Sequence, residues 1–268
     1  MIDRLDGSRP PRFREQELWG WGMRPRARCL LCRPPDRAGL KALLGAGGGT
    51  SLLGRGAGRS YGDASLNEGG GVADMRGLDR FLLFDRERGV LRAEAGVTIG
   101  EALEVTVPQG WFLPVVPGTR HVTLAGAVAS DIHGKNHHRA GSIGRHLRAL
   151  RILLASGEEV ECSAEREPEL LAATTGGMGL TGLILEVELG LLEVESSWMT
   201  VREAAATDLD HALELLEEGD ARHSYSVAWI DGFPRGKGLG RGIVSFGDHA
   251  PRGALAGGGA GERGRGAG

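Results

Sequence analysis

Apolar runs and a helical pattern alternate in the first part of the chain. Residues 27–33 form a short apolar run that two prolines end, and Leu40, Leu43 and Leu44 then fall on one face of a predicted helix. A second apolar run, residues 51–53, follows a glycine-rich connection. This order predicts a β-α-β unit with a glycine-rich loop at the carboxyl end of its second strand. Ligands of open α/β sheets usually bind at that end.

The rest of the chain combines short strands with short helices. Thr98 and Glu101 have the spacing of a capping box, so a helix is expected from there to Val107, and another over residues 167–173. The hydrophobic pattern predicts strands over residues 72–75, 80–84, 90–95, 147–155, 158–162 and 183–189. This mixture favours an α+β fold over a regular doubly wound sheet.

Composition and pattern divide the chain into four segments. Residues 1–18 are polar, carry prolines and lack periodicity, so we expect a loose N-terminal arm. Residues 19–193 hold the elements above, and residues 194–250 predict a further domain. Its expected helix and strands lie near residues 208–217, 224–230 and 242–246. Residues 251–268 are mostly Gly, Ala and Arg, a low-complexity tail that cannot form a core.

Composition and charge exclude several classes of protein. Of the 268 residues, 41% are hydrophobic and 25% are charged, which is ordinary for a soluble globular protein, and the net charge of −3 offers no general attraction for nucleic acid. No apolar window could span a membrane and no signal-peptide core begins the chain, so a cytoplasmic location is expected. Cys29, Cys32 and Cys162 fit a reducing compartment, and the first two lack a second pair of zinc ligands.

Glycine occupies alternate positions at the start of the loop Gly54-Arg55-Gly56-Ala57-Gly58-Arg59-Ser60-Tyr61-Gly62-Asp63. Glycine admits positive φ and has no Cβ, so successive N–H groups can converge on a phosphate. The loop matches neither the P-loop spacing nor the G-x-G-x-x-G fingerprint. From these residues alone, a phosphate cradle and a tight turn are equally good interpretations.

Three later blocks favour the cradle. They are Pro-Gly-Thr at residues 117–119, TLAGAVASDIHGKNHH at residues 123–138 and GGMGLTG at residues 176–182. Together with the glycine loop they resemble the flavin-binding domain of the vanillyl-alcohol oxidase / p-cresol methylhydroxylase (PCMH) group. The resemblance extends from about Trp19 to about Gly247. It implies a PCMH-type FAD-binding domain of two α/β subdomains over residues 19–193, followed by a partial substrate (cap) domain over residues 194–250.

The resemblance implies a set of contacts with FAD. The glycine loop would hold the pyrophosphate, the first two of the later blocks would line the flavin, and the third would close the adenine and ribose side. Relatives with covalent flavin attach it through a histidine at the position of Arg59, whose guanidinium is no nucleophile at neutral pH, so we expect non-covalent FAD. The implied cofactor-binding residues are Arg55, Gly56, Ala57, Gly58, Arg59, Ser60, Tyr61, Asn67, Pro117, Gly118, Thr119, Val122, Gly126, Ser130, Ile132, His133, Met178, Gly179, Thr181 and Gly182.

The resemblance also implies three catalytic candidates, His133, Lys135 and Trp229. The imidazole titrates in a range that suits a group beside a flavin and a sugar hydroxyl, the ammonium offers a point charge for a substrate phosphate, and the family has a pocket-lining tryptophan where Trp229 stands. The residues alone also fit a solvated polar loop and a core aromatic. No metal site is expected, because no acidic ligand accompanies His133 and His137.

The implied activity is FAD-dependent oxidation of a secondary alcohol of a sugar. Within the group, the motifs point to the 2′-hydroxyl of a polyprenyl-phosphoryl-β-D-ribose, oxidised to the keto sugar in the synthesis of cell-wall arabinan precursors. The implied partner is a short-chain dehydrogenase/reductase that completes the epimerisation. A lipid-linked substrate would add peripheral contact with the inner face of the membrane.

Two alternatives stay open. Members of the group are longer, and their chain returns to the flavin domain with a lysine over the flavin. Here Lys41, Lys135 and Lys237 are the only lysines, and none lies in such a segment. The chain could therefore be a truncated, non-catalytic flavin-binding remnant with a tail from a shifted reading frame, and poor turnover is expected. A sugar-lactone or alditol oxidase of the same superfamily is the other alternative.

Overall fold

The computed structural model describes residues 12–46, 51–234 and 236–255. The chain divides into two compact units, with the division between Leu192 and Glu193. Helices and strands are mixed in both units, so the predicted α+β class is confirmed. Within the described ranges no helix is long and apolar enough to cross a bilayer.

The first unit begins with a four-stranded sheet of order β1-β2-β4-β3. Its strands are β1 (Arg14–Trp19), β2 (Arg26–Cys32), β3 (Leu52–Arg55) and β4 (Gly71–Asp74). Both β2 and β3 run parallel to β4, and helix α1 (Arg37–Ala46) connects them. The predicted β-α-β unit is confirmed, with Leu40 and Leu43 of α1 buried in the core.

Strand β1 contradicts the loose arm predicted for residues 1–18. It pairs antiparallel with β2, although Leu18 is its only buried residue. Exposed cross-strand pairs join Glu17 to Arg26 and Glu15 to Arg28, at 2.9 Å and 3.3 Å. The prediction relied on apolar periodicity, and an edge strand paired through charged side chains does not show it. Residues 1–11 lie outside the described residues.

Asp74 ends β4 at the carboxyl edge of this sheet. Its buried carboxylate accepts from Arg33 Nε and Nη2 at 2.8 Å and 2.6 Å, and from Arg76 Nε and Nη2 at 2.8 Å each. Burial raises the pKa of this carboxyl, but the hydrogen bonds and charges of Arg76 and Arg33 outweigh it, and the pKa lies below its ordinary value.

The second sheet is antiparallel throughout, with the order β5-β6-β10-β8-β9. Its strands are β5 (Phe81–Asp85), β6 (Val90–Glu94), β8 (Leu147–Leu153), β9 (Glu159–Ser163) and β10 (Leu183–Gly190). The two predicted hairpins, β5-β6 and β8-β9, are confirmed, and β10 lies between them. Side chains on both faces of β6 and β10 are largely buried, so this sheet lies at the centre of the main core.

Buried carboxylates on the second sheet attach helix α1 to it. The side chains of Glu94 and Glu186 are 2% and 6% exposed, and Arg92 Nε lies 2.6 Å from Glu186. Arg37, the first residue of α1, pairs with Glu186, and Lys41 Nζ lies 2.8 Å from Glu159. Buried ion pairs fix relative position more reliably than they add net stability.

Short helices lie in the connections between strands of the second sheet. Helix α2 (Ile99–Thr106) has the predicted capping box, because Thr98 Oγ1 accepts from the Glu101 N–H while the Glu101 carboxylate accepts from the Thr98 N–H. The remaining helices of the first unit are α3 (Leu124–Ala129), α4 (His137–Ala140) and α5 (Pro168–Thr174), with 3-10 turns at Met75–Gly77, Val107–Gln109 and Ile143–His146. Strands β7 (Trp111–Phe112) and β11 (Leu192–Glu193) have two residues each.

The second unit is a three-stranded antiparallel sheet of order β12-β14-β13 with one helix. Its elements are β12 (Met199–Ala206), α6 (Leu209–Asp220), β13 (Tyr225–Ile230) and β14 (Gly242–His249), with 3-10 turns at Gly236–Gly238 and Arg252–Leu255. Ala206, Ala212, Val244 and Phe246 form its core. The last turn corrects the predicted tail over residues 251–268, since the Arg252 N–H donates to Glu195 at 3.2 Å. Residues 256–268 lie outside the described residues.

Candidate functional site

A cavity of about 550 Å³ lies where the sequence motifs meet. It is lined by Trp21, Gly56, Ala57, Gly58, Arg59, Ser60, Tyr61, Ala64, Ser65, Pro117, Gly118, Thr119, Val122, Thr123, Gly126, Ser130, Ile132 and Met178. The glycine loop leaves β3 on one side, and the residues preceding and forming α3 lie on the other. Most of the residues that the resemblance implied are therefore brought to one place, including members of every motif.

Two glycines of the loop stand where a side chain would not fit. A Cβ on Gly56 would lie 2.3 Å from Thr123 Oγ1, so its absence lets the loop approach the start of α3. Gly58 has φ +66°, and a Cβ there would lie 2.2 Å from Nη2 of Arg55. These positions require glycine for close approach and for left-handed backbone respectively.

Residues 57–59 of the loop line the cavity and carry backbone N–H donors. In the part of the chain that the structure describes, no protein group accepts the N–H of Ala57, Gly58 or Arg59. Arg59 is also the only charged residue among the described residues that line the cavity. Three N–H groups without an acceptor among the described residues and one guanidinium, with no acidic side chain in the lining, favour an anionic ligand.

The third motif holds the far end of α3. Thr123 caps the helix by accepting from the Gly126 N–H at 3.2 Å. At the other end, the N–H groups of Gly176 and Met178 donate to the carbonyls of Val128 and Ala129, at 3.0 Å and 2.8 Å. Met178 has φ +52° and lines the cavity, so the strained turn presents its side chain to the site.

The comparisons with known proteins agree with this geometry. A family model described as an FAD binding domain matches residues 36–163. The chain carries an FAD binding domain. The glycine loop, the Pro-Gly-Thr block and the start of α3 all lie within that match, and the predicted cofactor, FAD, is confirmed.

Several relatives share the FAD domain. Decaprenylphosphoryl-beta-D-ribose oxidase of Mycolicibacterium smegmatis is 37% identical over 240 residues, which cover 88% of this chain and 52% of that protein. An uncharacterised protein of Streptomyces coelicolor is 46% identical over 159 residues, 59% of this chain and 43% of that protein. A Neurospora crassa protein named for D-arabinono-1,4-lactone oxidase is 27% identical over 116 residues, 43% of this chain and 21% of that protein. The chain is therefore similar to FAD-dependent oxidoreductases, in agreement with the PCMH-type resemblance, and it spans about half the length of the first two relatives.

The cavity suits FAD in volume and in chemistry. Cavities that bind small ligands occupy about 300–1,000 Å³, and this one has about 550 Å³. The unpaired N–H groups of the FAD domain's glycine loop and the Arg59 guanidinium match a pyrophosphate. A Cβ at Gly118 would meet no protein atom within 4 Å, so this wall leaves room for a ring system. The residues present therefore fit the cofactor.

Two predicted contact residues point elsewhere. Arg55 donates through Nη1 to the Ser65 carbonyl and hydroxyl at 3.0 Å and 2.7 Å, and through Nη2 to the Trp19 carbonyl at 2.6 Å. Burial lowers the pKa of this guanidinium below its ordinary value. Asn67 Nδ2 donates to the carbonyls of Ser51 and Gly71 at 3.0 Å and 2.9 Å. Neither lines the cavity. Both side chains bind backbone carbonyls of the protein, so their donors are not available to a ligand in the cavity.

The end of the third motif lies beside the main cavity. Gly179 and Gly182 line a small cavity of about 50 Å³ that shares Gly56, Thr123 and Gly126 with the large one. Thr181 Oγ1 lies 2.9 Å from Thr174 Oγ1, a hydrogen bond within the protein. Their roles toward adenine and ribose stay predictions.

The catalytic candidates are exposed. Ile132 lines the cavity, whereas His133 and Lys135 lie on the surface beyond it, with the His133 ring 5.4 Å from that of His137. Trp229 lies on β13 of the second unit and is 71% exposed, so it is not the core aromatic of the alternative interpretation. No group of three metal-ligating side chains occurs among the described residues.

Four lining residues were missed in the sequence: Trp21, Ala64, Ser65 and Thr123. The Trp-Gly-Trp-Gly run at residues 19–22 lies at the start of the resemblance, and its alternating glycines are a usable signal for Trp21. Thr123 had another signal, since a threonine directly before an apolar helical run is typical of a helix N-cap. Ala64 and Ser65 carry no such signal.

Proposed function

We propose that this FAD-binding chain serves the oxidation of a secondary alcohol of a sugar, with the 2′-hydroxyl of a polyprenyl-phosphoryl-β-D-ribose as the reacting group. The observation that carries the proposal is the single cavity lined by members of every motif and by one charged residue, Arg59. The specific substrate comes from likeness to the Mycolicibacterium smegmatis oxidase.

FAD, when bound, supplies the hydride acceptor. The chain's own part is to bind, to orient and to exclude water. In the proposal, the N–H groups of residues 57–59 hold the pyrophosphate, and Pro117, Gly118 and Val122 form an uncharged wall for the ring. Ser130, Ile132 and Met178 complete the enclosure. Preorganised donors of this kind lose little free energy to reorganisation when the ligand binds.

His133 and Lys135 are proposed as substrate residues. They follow Ile132, which lines the cavity, and both are accessible to a large lipid-linked sugar. The imidazole would accept the proton of the hydroxyl as the hydride leaves, and the ammonium would bind the phosphate. His133→Gln should then slow flavin reduction without changing FAD affinity, and Lys135→Gln should raise the substrate concentration that gives half the maximal rate.

The test is anaerobic mixing of the FAD-loaded chain with a short-chain polyprenyl-phosphoryl-β-D-ribose, followed by absorbance of the oxidised flavin. The expected result is bleaching that is faster than with D-arabinono-1,4-lactone. Faster bleaching by the lactone would favour the lactone oxidase alternative, which the Neurospora crassa relative supports. Bound FAD that neither compound reduces would favour a flavin-binding chain without catalysis.

The product, a keto sugar on a lipid phosphate, requires a reductase to complete an epimerisation, and we propose a short-chain dehydrogenase/reductase for that step. A lipid-linked substrate also favours peripheral contact with the inner face of the membrane. Co-sedimentation with vesicles that contain polyprenyl phosphate, compared with vesicles that lack it, tests this location. Equal sedimentation with both would contradict it.

A further inference from the structure

Trp21 is a large exposed aromatic residue on the wall of the FAD cavity. Trp21 is 53% exposed and lines the cavity beside the glycine loop. An indole ring left this open has a large apolar area in contact with water, which a bound ligand would cover. A ligand bound in the cavity would therefore cover part of the Trp21 ring.

Backbone contacts fix where this ring stands. The Trp21 N–H donates to the Ser60 carbonyl at 2.9 Å. A Cβ on Gly20 would lie 2.4 Å from the same carbonyl oxygen, so only glycine allows this approach. The Trp19 carbonyl accepts from Arg55, which also binds Ser65. The chain on either side of Gly20 is thus attached to the glycine loop, through the Trp19 carbonyl and the Trp21 N–H.

Arg59 lies against the same ring. Its guanidinium carbon is 5.6 Å from the centroid of the Trp21 ring, within the range of a cation–π contact. Among the described residues no carboxylate pairs with Arg59, which is exposed and lines the cavity. A pyrophosphate is a stronger partner for a guanidinium than an exposed indole face, so the cation is available to an anionic ligand.

We propose that Trp21 and Arg59 form a closing pair over the pyrophosphate of FAD. Trp21 is a positioning residue, because its ring holds the Arg59 guanidinium at the cavity while the same ring shields the pairing from water. Arg59 supplies the positive charge that the N–H groups of the loop lack. The proposal concerns cofactor affinity and is independent of which sugar is oxidised.

The experiment is a double-mutant cycle on FAD affinity, measured by flavin fluorescence at low salt. Arg59→Gln should weaken binding about tenfold, as loss of a charged hydrogen bond does. Trp21→Leu should weaken it about fivefold, and Trp21→Phe should stay within about twofold of the wild type, because a ring is kept. In the Arg59→Gln background, Trp21→Leu should add less than about twofold. Trp198→Leu is the matched control, since Trp198 is 60% exposed in the second unit.

Two ligands distinguish a Trp21–Arg59 pair that binds the pyrophosphate from an apolar contact with the flavin ring. ADP carries the pyrophosphate without the flavin, and riboflavin carries the flavin without phosphate. Both single variants should weaken ADP binding and leave riboflavin binding unchanged. Thermal unfolding without ligand identifies folding damage, and Trp21→Met is a second ring-removing variant if Trp21→Leu unfolds. Wild-type FAD affinity in both ring-removing variants, full additivity in the cycle, or an equal loss for riboflavin would each overturn the proposal.

Discussion

Gly118→Val tests whether FAD occupies the cavity, because this substitution should block FAD binding without destabilising the protein. Gly118 lines the cavity, its φ is outside the left-handed region, and a Cβ there would meet no protein atom within 4 Å. Without ligand, Gly118→Val should therefore change the free energy of unfolding by no more than about 0.5 kcal/mol. Because Gly118 lines the cavity, we expect the added isopropyl group to take space that FAD would occupy.

The expected magnitude follows from ligand linkage. At a free FAD concentration about 100 times the dissociation constant, binding stabilises the wild type by about 2.7 kcal/mol. For a folded unit of this size, that raises the Tm by about 5 to 10 °C. The Gly118→Val variant should show the wild-type Tm without FAD and little of this increase with it.

Thermal unfolding with and without FAD, together with a flavin fluorescence titration, measures both effects. Gly232→Val is the matched control, because Gly232 is exposed in the second unit and a Cβ there also meets nothing within 4 Å. If Gly118→Val binds FAD as tightly as the control does, the cofactor does not use this wall and our assignment of the cavity is wrong.

Three further predictions concern the glycine loop, the absence of a covalent bond to the flavin, and Asp74 at the edge of the first sheet. Gly58→Val should abolish FAD binding and destabilise the protein without FAD by about 1–3 kcal/mol. The reason is that φ is +66° at this position and the new side chain would displace Arg55. Wild-type FAD affinity in a titration would refute the assignment of the loop as the phosphate-binding site. Acid precipitation should release all flavin into the supernatant, since Arg59 forms no covalent link; flavin in the pellet would contradict this. The pKa of Asp74 is depressed in the folded state, so the ionised carboxylate stabilises the fold at neutral pH, and this stabilisation is lost as the pH falls through that pKa. Asp74→Asn should therefore lower the free energy of unfolding, measured in urea, least below about pH 4. A loss of free energy of unfolding that does not depend on pH would refute this argument.

Local patterns predicted much of the fold. The β-α-β unit, both hairpins and the capping box of α2 depend on neighbours in sequence, and all were found. Strand β1 was missed because charged pairs with β2, rather than apolar alternation, hold it in place. Helix α3 was missed because its residues, LAGAVA, lie inside a motif noted for chemistry.

The site could be predicted only in part, for a different reason. Resemblance identified which blocks meet at the cavity, but not which side chains face it. Arg55 and Asn67 bind carbonyls of Trp19 and Ser51, residues 36 and 16 positions away, and sequence gives no sign of that competition. Trp21 lines the cavity because its N–H donates to the Ser60 carbonyl, a contact between distant residues that the sequence also does not show.

The position of β10 has a consequence for when the cofactor can be taken up. This strand, Leu183–Gly190, lies between the two hairpins of the second sheet and joins them. During synthesis the hairpins can form early, but they have nothing to bridge them until residue 190 has left the ribosome. Met178 and the turn that caps α3 come just before β10, so the far wall of the cavity is made after its other walls. Chains elongate from the N-terminus at about 5–20 residues per second. The glycine loop is therefore made several seconds before a site exists that can retain FAD, and flavin loading follows the synthesis of β10.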